Sequence, residues 1–266
     1  MSETKTTETI NSFASFVALS ANNFSRFGDL INDHNPLHRD ISYALGKKCE
    51  STPVFGIALG ALAEISIKDA QDEIFSVQFS GRHITSGIAF KFIEPVYADR
   101  EVVLGDGSLS FHSFKCKAKS QGKDVFSAEI NFGQEYPTFI SPESNSLIDY
   151  RQEITREQTA EFYDLLGIPL RKEISPLQVA AQIPAALLEI SRLRSGTVQG
   201  TSRGINLKFF SEPSPGKYRT EIRLISSKGN PEKGFIYNVH GLCYNSDRPV
   251  VEGTFTVLHP CDLRQL

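Results

Sequence analysis

The sequence predicts an α+β protein made of two similar halves, each with a long apolar helix wrapped by an antiparallel sheet. Three observations support this prediction. Each half has helix signals first and then β-branched and aromatic stretches that alternate with period two. Short segments of the first half recur in the second half in the same order. The 266 residues are 40% apolar and 22% charged, which is typical of a globular protein with a large core.

The elements of the first half follow from local signals. Ser20 is a candidate N-cap for a helix over residues 21–31, and a small helix is expected near residues 41–45. The apolar run IALGALAEISI begins directly after Gly56 and is long enough for a buried helix. From Ile74 onward, alternating stretches predict antiparallel strands, and the letters SQGKD mark a hairpin turn between two of them.

Internal repetition predicts a duplicated module. The repeated pairs are FGDL at 27–30 with FYDL at 162–165, AEIS at 63–66 with LEIS at 188–191, and GIAFKFIEP at 87–95 with GINLKFFSEP at 204–213. Three matches in the same order indicate duplication rather than chance. We therefore predict two fused modules, residues 1–136 and residues 147–266, joined by the polar linker Pro137–Ser146.

Composition excludes several classes of function. The net charge is -3 and the basic residues are scattered, so neither nucleic acid nor an anionic membrane surface is an expected partner. No apolar stretch is long enough to span a membrane and the opening is polar, which predicts a soluble cytoplasmic protein. The cysteines are far apart and are expected to be reduced thiols: Cys49, Cys116, Cys243 and Cys261.

One dense cluster of reactive side chains lies in the segment NDHNPLHRD. A polar surface loop would explain it without any chemistry. A metal site would use His34 and His38 with Asp33 or Asp40, but this spacing needs a helix, which Pro36 opposes. The third interpretation is acid–base catalysis by a carboxylate and an imidazole that face a common point.

The acid–base interpretation assigns the pair to Asp33 and His38, since histidine titrates near neutral pH. Such a pair also needs a donor for an oxygen that becomes negative. Gly56 stands 18 residues after His38, at the start of the long helix, where free N–H groups and the helix dipole favour an oxyanion. A plain turn glycine before a helix is the alternative interpretation of Gly56.

The segment FGDLINDHNPLHRDISYA resembles the signature of the MaoC-like hydratase/dehydratase family, in which D-x-N-P-[LI]-H follows an aromatic residue. The later segment FIEPVYADREV also resembles this family, and the resemblance covers roughly residues 12–133. It implies a double hot-dog fold and reversible hydration of trans-2-enoyl thioesters to (3R)-hydroxyacyl thioesters, as used in fatty acid or polyketide metabolism.

The resemblance also implies roles for four residues. Asp33 and His38 would hold and activate the water, Asn35 would orient the pair, and the N–H of Gly56 would polarise the thioester carbonyl. The implied partner is an acyl-coenzyme A or an acyl carrier protein, with no metal and no separate cofactor. We also expect that the chain can form a homodimer.

The sequence departs from the family pattern around the site. Ile31 and Asn32 stand where the family has a small hydroxyl residue and glycine, and Phe55 replaces a frequent histidine. In the second module, Arg171 aligns with His38 and no aspartate matches, which predicts a degenerate, non-catalytic copy. Two alternatives to the hydratase stay open: a thioesterase of the same fold, and a non-catalytic protein that binds acyl carriers.

Overall fold

The computed structural model of the chain describes residues 8–10, 14–75, 84–109, 113–140, 148–196, 200–230, 234–260 and 263. The elements of the first half are β1 (Glu8–Ile10), β2 (Ala14–Val17), α1 (Phe24–Leu30), α2 (Ile41–Gly46), α3 (Gly56–Phe75), β3 (Ile84–Phe92), β4 (Glu101–Leu109), β5 (Ser113–Ser120) and β6 (Lys123–Gly133). The elements of the second half are β7 (Ile148–Ile154), α4 (Arg156–Leu165), α5 (Pro176–Ala180), α6 (Gln182–Ser195), β8 (Thr201–Phe209), β9 (Gly216–Asn230), β10 (Gly234–Asn245) and β11 (Arg248–His259).

All described strands belong to one antiparallel sheet. Its order is β1-β4-β5-β6-β3-β8-β11-β10-β9-β7, and β2 also pairs with β4. The four main strands of each half have the same relative order, because β3-β6-β5-β4 is matched by β8-β11-β10-β9. The predicted α+β hot-dog architecture is therefore the architecture observed.

The two halves meet where β3 pairs with β8. Gly87 and Lys91 correspond in the sequence repeat to Gly204 and Lys208, respectively. In the sheet Gly87 pairs with Lys208 and Lys91 pairs with Gly204, so each contact is repeated with the partners exchanged. This is the pairing expected of two copies related by a pseudo-two-fold axis. It supports the predicted duplication, while the module boundaries stay a prediction.

The helices lie against the buried face of the sheet. Helix α3 is apolar nearly all round, and most of its described side chains are buried, which is typical of a helix enclosed by other elements. Helices α1 and α4 pack against each other across the two halves, where the rings of Phe27 and Phe162 have centroids 5.6 Å apart. A single core cluster of buried residues extends through both halves.

The early helix predicted over residues 21–31 is confirmed as a short 3-10 turn followed by α1. Ser20 occupies the predicted N-cap position with an extended backbone, but its side chain makes no capping hydrogen bond. Strand structure does not begin at Ile74, since α3 continues to Phe75. Helical structure therefore extends past the point at which the alternating pattern begins.

Some predictions fall outside the described residues. These are residues 76–79 of the predicted strand EIFSVQF, residues 141–146 of the linker, and Cys261. Within the described residues, Phe139 of the linker packs edge-on against Phe210, with ring centroids 5.1 Å apart. No helix in the described part of the chain is long and apolar enough to cross a membrane.

Candidate active site

The candidate site begins at the C-terminal end of α1. Asn32 has a left-handed backbone with φ of 53°. Its N–H bonds the carbonyl of Asp29 at 3.3 Å, and the N–H of Asp33 bonds the carbonyl of Gly28 at 2.8 Å. These two bonds define a Schellman motif, a common way for a helix to end. The backbone of Asp33 is therefore fixed by the helix end.

Gly28 allows the chain to fold back tightly against α1. A Cβ atom at Gly28 would lie 2.5 Å from Nη2 of Arg39 and 2.8 Å from the carbonyl oxygen of Asp33. The Arg39 guanidinium donates to the carboxylate of Asp29 at 2.8 Å and to the carbonyl of Ser25 at 3.2 Å. The Arg39 guanidinium could move aside, but the Asp33 carbonyl belongs to the backbone, so a side chain at Gly28 would force the turn to shift.

Asn35 organises the turn that follows. The carboxylate of Asp33 accepts the N–H of Asn35 at 3.0 Å, and the side-chain oxygen of Asn35 accepts the N–H of Leu37 at 3.1 Å. Pro36 begins a 3-10 turn that ends at His38, a position where its missing N–H costs nothing. Local hydrogen bonds and the proline ring thus connect Asp33 to His38 through a stiff segment.

His38 is held in one tautomer by its surroundings. Its Nδ1 lies 2.7 Å from the carbonyl oxygen of Pro53. A carbonyl can only accept, so Nδ1 carries the proton in this bond, and Nε2 of the neutral ring is the free acceptor. The ring lies against that of Phe55, with centroids 4.4 Å apart. The imidazole is therefore oriented for proton transfer at Nε2.

A cavity of about 450 Å³ lies beside His38 and the start of α3. Its lining residues are Leu37, His38, Cys49, Pro53, Val54, Gly56, Leu59, Phe92, Ile93, Glu94, Pro95, Val96, Thr201, Ser202 and Arg203. A Cβ atom at Gly56 would lie 2.9 Å from Cζ of Phe92, so glycine leaves room between the helix and that ring. Burial raises the pKa of the Cys49 thiol, which favours the neutral form.

The structure brings some predicted residues together and separates others. His38 and Gly56 line the same cavity. Asn35 lines a smaller, mostly apolar cavity beside it, where its side-chain amide donates to the carbonyl of Gly200. Asp33 lines neither of these two cavities, and in the described residues it has no hydrogen bond to His38. The link between Asp33 and His38 runs through Asn35, and the four assigned roles stay predictions.

The sequence did not indicate which residues of the second half form part of the cavity wall. Residues 201–203 at the start of β8 line the main cavity, and Ser202 lines both cavities. The signal was present in the repeat, because β3 and β8 carry the repeated GIAFKF and GINLKF segments and pair at the centre of the sheet. Residues just before Gly204 therefore lie beside the end of β3.

The metal interpretation finds no support in the geometry. His34 is exposed, with Nδ1 3.7 Å from the carboxylate of Asp29, whereas His38 lines the cavity. Pro36 starts a new turn between the two histidines, so they do not share a helix face. Among the described residues, no three His, Cys, Asp or Glu side chains are grouped so that they could hold a metal ion.

Arg171, which the sequence aligns with His38, lies in a different environment. Its guanidinium forms two hydrogen bonds to the carboxylate of Asp69 on α3, at 2.6 and 2.7 Å. The turn after α4 repeats the Schellman motif, with Gly167 left-handed and the N–H of Ile168 bonded to the carbonyl of Tyr163 at 3.0 Å. The position that matches Asp33 in this motif is therefore Ile168, which has no acid–base chemistry.

Comparisons with known proteins identify the fold. No protein-family model and no curated protein matches the chain. Among solved structures, a MaoC domain protein dehydratase from Chloroflexus aurantiacus J-10-fl has a TM-score of 0.70 at 8% identity, covering 96% of this chain and 95% of that chain. A MaoC-like dehydratase from Phytophthora capsici has a TM-score of 0.57 at 10% identity, covering 95% and 97%.

An oleoyl thioesterase from Lactobacillus plantarum is about as similar as the Phytophthora protein. Its TM-score is 0.58 at 10% identity, covering 95% of this chain and 97% of that chain. Similarity over nearly the full length of all three structures shows that the chain has the hot-dog fold. At these identities the fold is what is shared, and the chemistry must be argued from the site.

Proposed function

We propose that the protein catalyses reversible hydration of trans-2-enoyl thioesters and dehydration of (3R)-hydroxyacyl thioesters, carried on coenzyme A or an acyl carrier protein. The observation that carries the proposal is the position of His38. Its Nδ1 is bonded to the Pro53 carbonyl, and the residue lines the cavity that Gly56 also lines. An oriented imidazole beside the first N–H of a long helix is suited to acid–base chemistry next to an oxyanion.

Each group has one task in the proposed hydration. His38 and Asp33 would hold a water and take one of its protons as the water oxygen bonds to C3 of the enoyl group, which requires the Asp33 carboxylate to turn from the Asn35 N–H toward the cavity. The pair then returns that proton to C2, so that H and OH of one water are added, and the carbonyl oxygen carries the negative charge in between. The N–H of Gly56, which has no partner within its own helix because it is the first residue, would stabilise that charge.

Asn35 would fix the orientation of Asp33 relative to His38. Its backbone N–H bonds the Asp33 carboxylate, and its side chain bonds both Leu37 and the Gly200 carbonyl of the second half. In the dehydration direction Asp33 and His38 exchange roles. The reaction moves one water and requires no redox change, so the proposal includes no cofactor besides the acyl carrier.

The test is turnover of crotonyl-coenzyme A and longer trans-2-enoyl-coenzyme A thioesters, followed by loss of the conjugated absorbance. We expect hydration by the unchanged protein and a loss of about 10²- to 10⁴-fold in kcat in Asp33→Asn and His38→Gln. The matched control is His34→Gln, because His34 is an exposed neighbour in the same segment, and it should keep full activity.

Thiol release measured in the same samples separates the proposal from its alternatives. Hydration without thiol release supports the hydratase. Thiol release without hydration, retained in His38→Gln, would replace it with a thioesterase, which the similarity to the oleoyl thioesterase makes the second candidate. Neither reaction with any enoyl thioester would leave a protein that binds acyl carriers without chemistry.

A further inference from the structure

The residue before Asp33 carries a side chain that its backbone conformation does not require. Asn32 is the left-handed residue of the helix-ending motif, a position where glycine is the usual choice. The equivalent residue of the second half is Gly167, also left-handed with φ of 69°, and no atom lies within 4 Å of the position of a Cβ there. Glycine and asparagine are both found at this position, so the backbone alone does not decide between them and the contacts of the Asn32 amide must be considered.

The Asn32 side chain reaches into the second half of the molecule. Its Nδ2 donates to the hydroxyl oxygen of Tyr150 on β7 at 3.0 Å. Burial of Tyr150 raises the pKa of its hydroxyl, so the tyrosine is neutral at physiological pH. Two residues along the same face of β7, Gln152 approaches the carbonyl of Leu30 at 3.5 Å. Strand β7 therefore contacts both the last residue of α1 and the left-handed residue two positions later.

We propose that Tyr150 is a positioning residue for Asp33, acting through its hydrogen bond to Asn32. This inference rests on the proposed function of Asp33. The Asp33 carboxylate follows directly from the Asn32 backbone, so rotation of that peptide would turn the carboxylate. The hydrogen bond from the Asn32 side chain to Tyr150 ties this residue to β7 in the second half.

In this arrangement the second half helps to position a residue of the proposed active site. Asn35 is tied to the Gly200 carbonyl and Asn32 to Tyr150, so the turn that carries Asp33 is attached to the second half on both sides of Asp33. A hydrogen bond that served stability alone would change the free energy of unfolding without changing kcat. A positioning bond changes kcat while KM stays nearly constant, because the substrate contacts are untouched.

The test is a double-mutant cycle between Tyr150→Phe and Asn32→Gly. Each single variant removes the same hydrogen bond, and glycine keeps the left-handed backbone. With the enoyl-coenzyme A that the unchanged protein hydrates fastest, we expect each to lower kcat about 5- to 20-fold with KM within about twofold. The double variant should be no slower than the slower single variant, since both remove one interaction.

Tyr163→Phe is the matched control. Tyr163 donates its hydroxyl to the carbonyl of Glu173 at 2.8 Å, in the corresponding turn of the second half. Its loss should lower the midpoint of urea unfolding and leave kcat unchanged. Hydrogen exchange gives a readout that needs no turnover, because the amide of Asp33 should exchange faster in Tyr150→Phe but not in Tyr163→Phe.

The outcomes separate this inference from the proposed function. If the unchanged protein hydrates no enoyl thioester, the proposed function fails. If it hydrates them and Tyr150→Phe has an unchanged kcat, the positioning role is overturned. It is also overturned if the fold-loss in kcat of the double variant equals the product of the two single losses. A similar loss of kcat in both single variants, with unchanged hydrogen exchange of the Asp33 amide in Tyr163→Phe, supports the positioning role.

Discussion

The turns that follow α1 and α4 have the same backbone and different chemistry. In each, a left-handed residue ends the helix, Asn32 in one and Gly167 in the other, and the next N–H bonds back to the helix. The next residue is Asp33 in the first turn and Ile168 in the second. The same helix-ending backbone therefore occurs in both halves. Only the residue that follows the left-handed position, Asp33 or Ile168, determines whether a carboxylate is present there.

The two turns also differ in what surrounds them. Gly28 in α1 is covered by Arg39, whereas the position that corresponds to it in α4 carries Tyr163. The first turn is anchored to the second half through Asn32 and Asn35, while the second turn is closed by its own tyrosine bonding Glu173. Both turns are linked to the other half, but the first is linked through the side chains that flank Asp33, and the second is linked through the end of α4 and through Arg171.

The largest effect on activity is expected when the first turn is given the residue found in the second turn. Asp33→Ile should abolish hydration, with a loss of about 10³-fold or more, while the unfolding free energy changes by only about 1 kcal/mol, because the helix-ending bonds are made by the backbone. Steady-state kinetics and urea unfolding measure the two effects.

The control for this substitution is Arg171→Ala, which removes the exposed ion pair with Asp69. It should change the unfolding free energy by less than about 1 kcal/mol and leave kcat unchanged. Comparable activity in Asp33→Ile and the unchanged protein would contradict the catalytic assignment of Asp33. A collapse of the fold in Asp33→Ile would contradict the view that the backbone alone maintains the turn.

A smaller effect is expected from filling the space at Gly28. Gly28→Ala places a Cβ against Arg39 and the Asp33 carbonyl, so the turn must shift, at a cost of about 1–3 kcal/mol and a clear fall in kcat. Gly167→Ala meets open space but has a left-handed backbone, so it should cost about 1–2 kcal/mol with no change in kcat. Equal effects of both substitutions on kcat would remove the distinction between the turns.

Much of the fold was predictable from the sequence because it depends on repeated patterns. The apolar run of α3, the alternating strands and the recurrence of GIAFKF as GINLKF predicted two helix-and-sheet units, and the pairing of β3 with β8 agrees with the duplication. The helix end that precedes Asp33 could also be predicted, because residues 21–31 have helix signals. These features arise from interactions that are local or repeated.

The site was less predictable because its walls come from distant parts of the chain. The motif indicated Asp33, Asn35 and His38, but no pattern indicated that His38 would bond the Pro53 carbonyl or that β8 would line the cavity. Asn32 stood out in the sequence only as a departure from the family pattern. Its partner Tyr150 is 118 positions away in the chain, and only the packing of β7 against α1 brings them together.

The smallest expected effect tests whether the two central helices differ in the same way as the turns. Glu64 and Glu189 occupy repeated positions, but the Glu64 side chain is 1% exposed and accepts from Lys68 and from Ser175 at 3.1 Å, whereas Glu189 is 33% exposed and pairs with Arg192. Lys68→Met leaves a buried carboxylate with one fewer partner.

We expect Lys68→Met to cost about 1–3 kcal/mol of unfolding free energy, because the ammonium is itself partly exposed and the loss is below that of a fully buried pair. Arg192→Met, on the exposed face of α6, should cost less than about 0.5 kcal/mol. Urea unfolding of both variants decides the point. Equal costs would mean that burial does not distinguish the two carboxylates, and that the asymmetry between the halves is confined to the turn that carries Asp33.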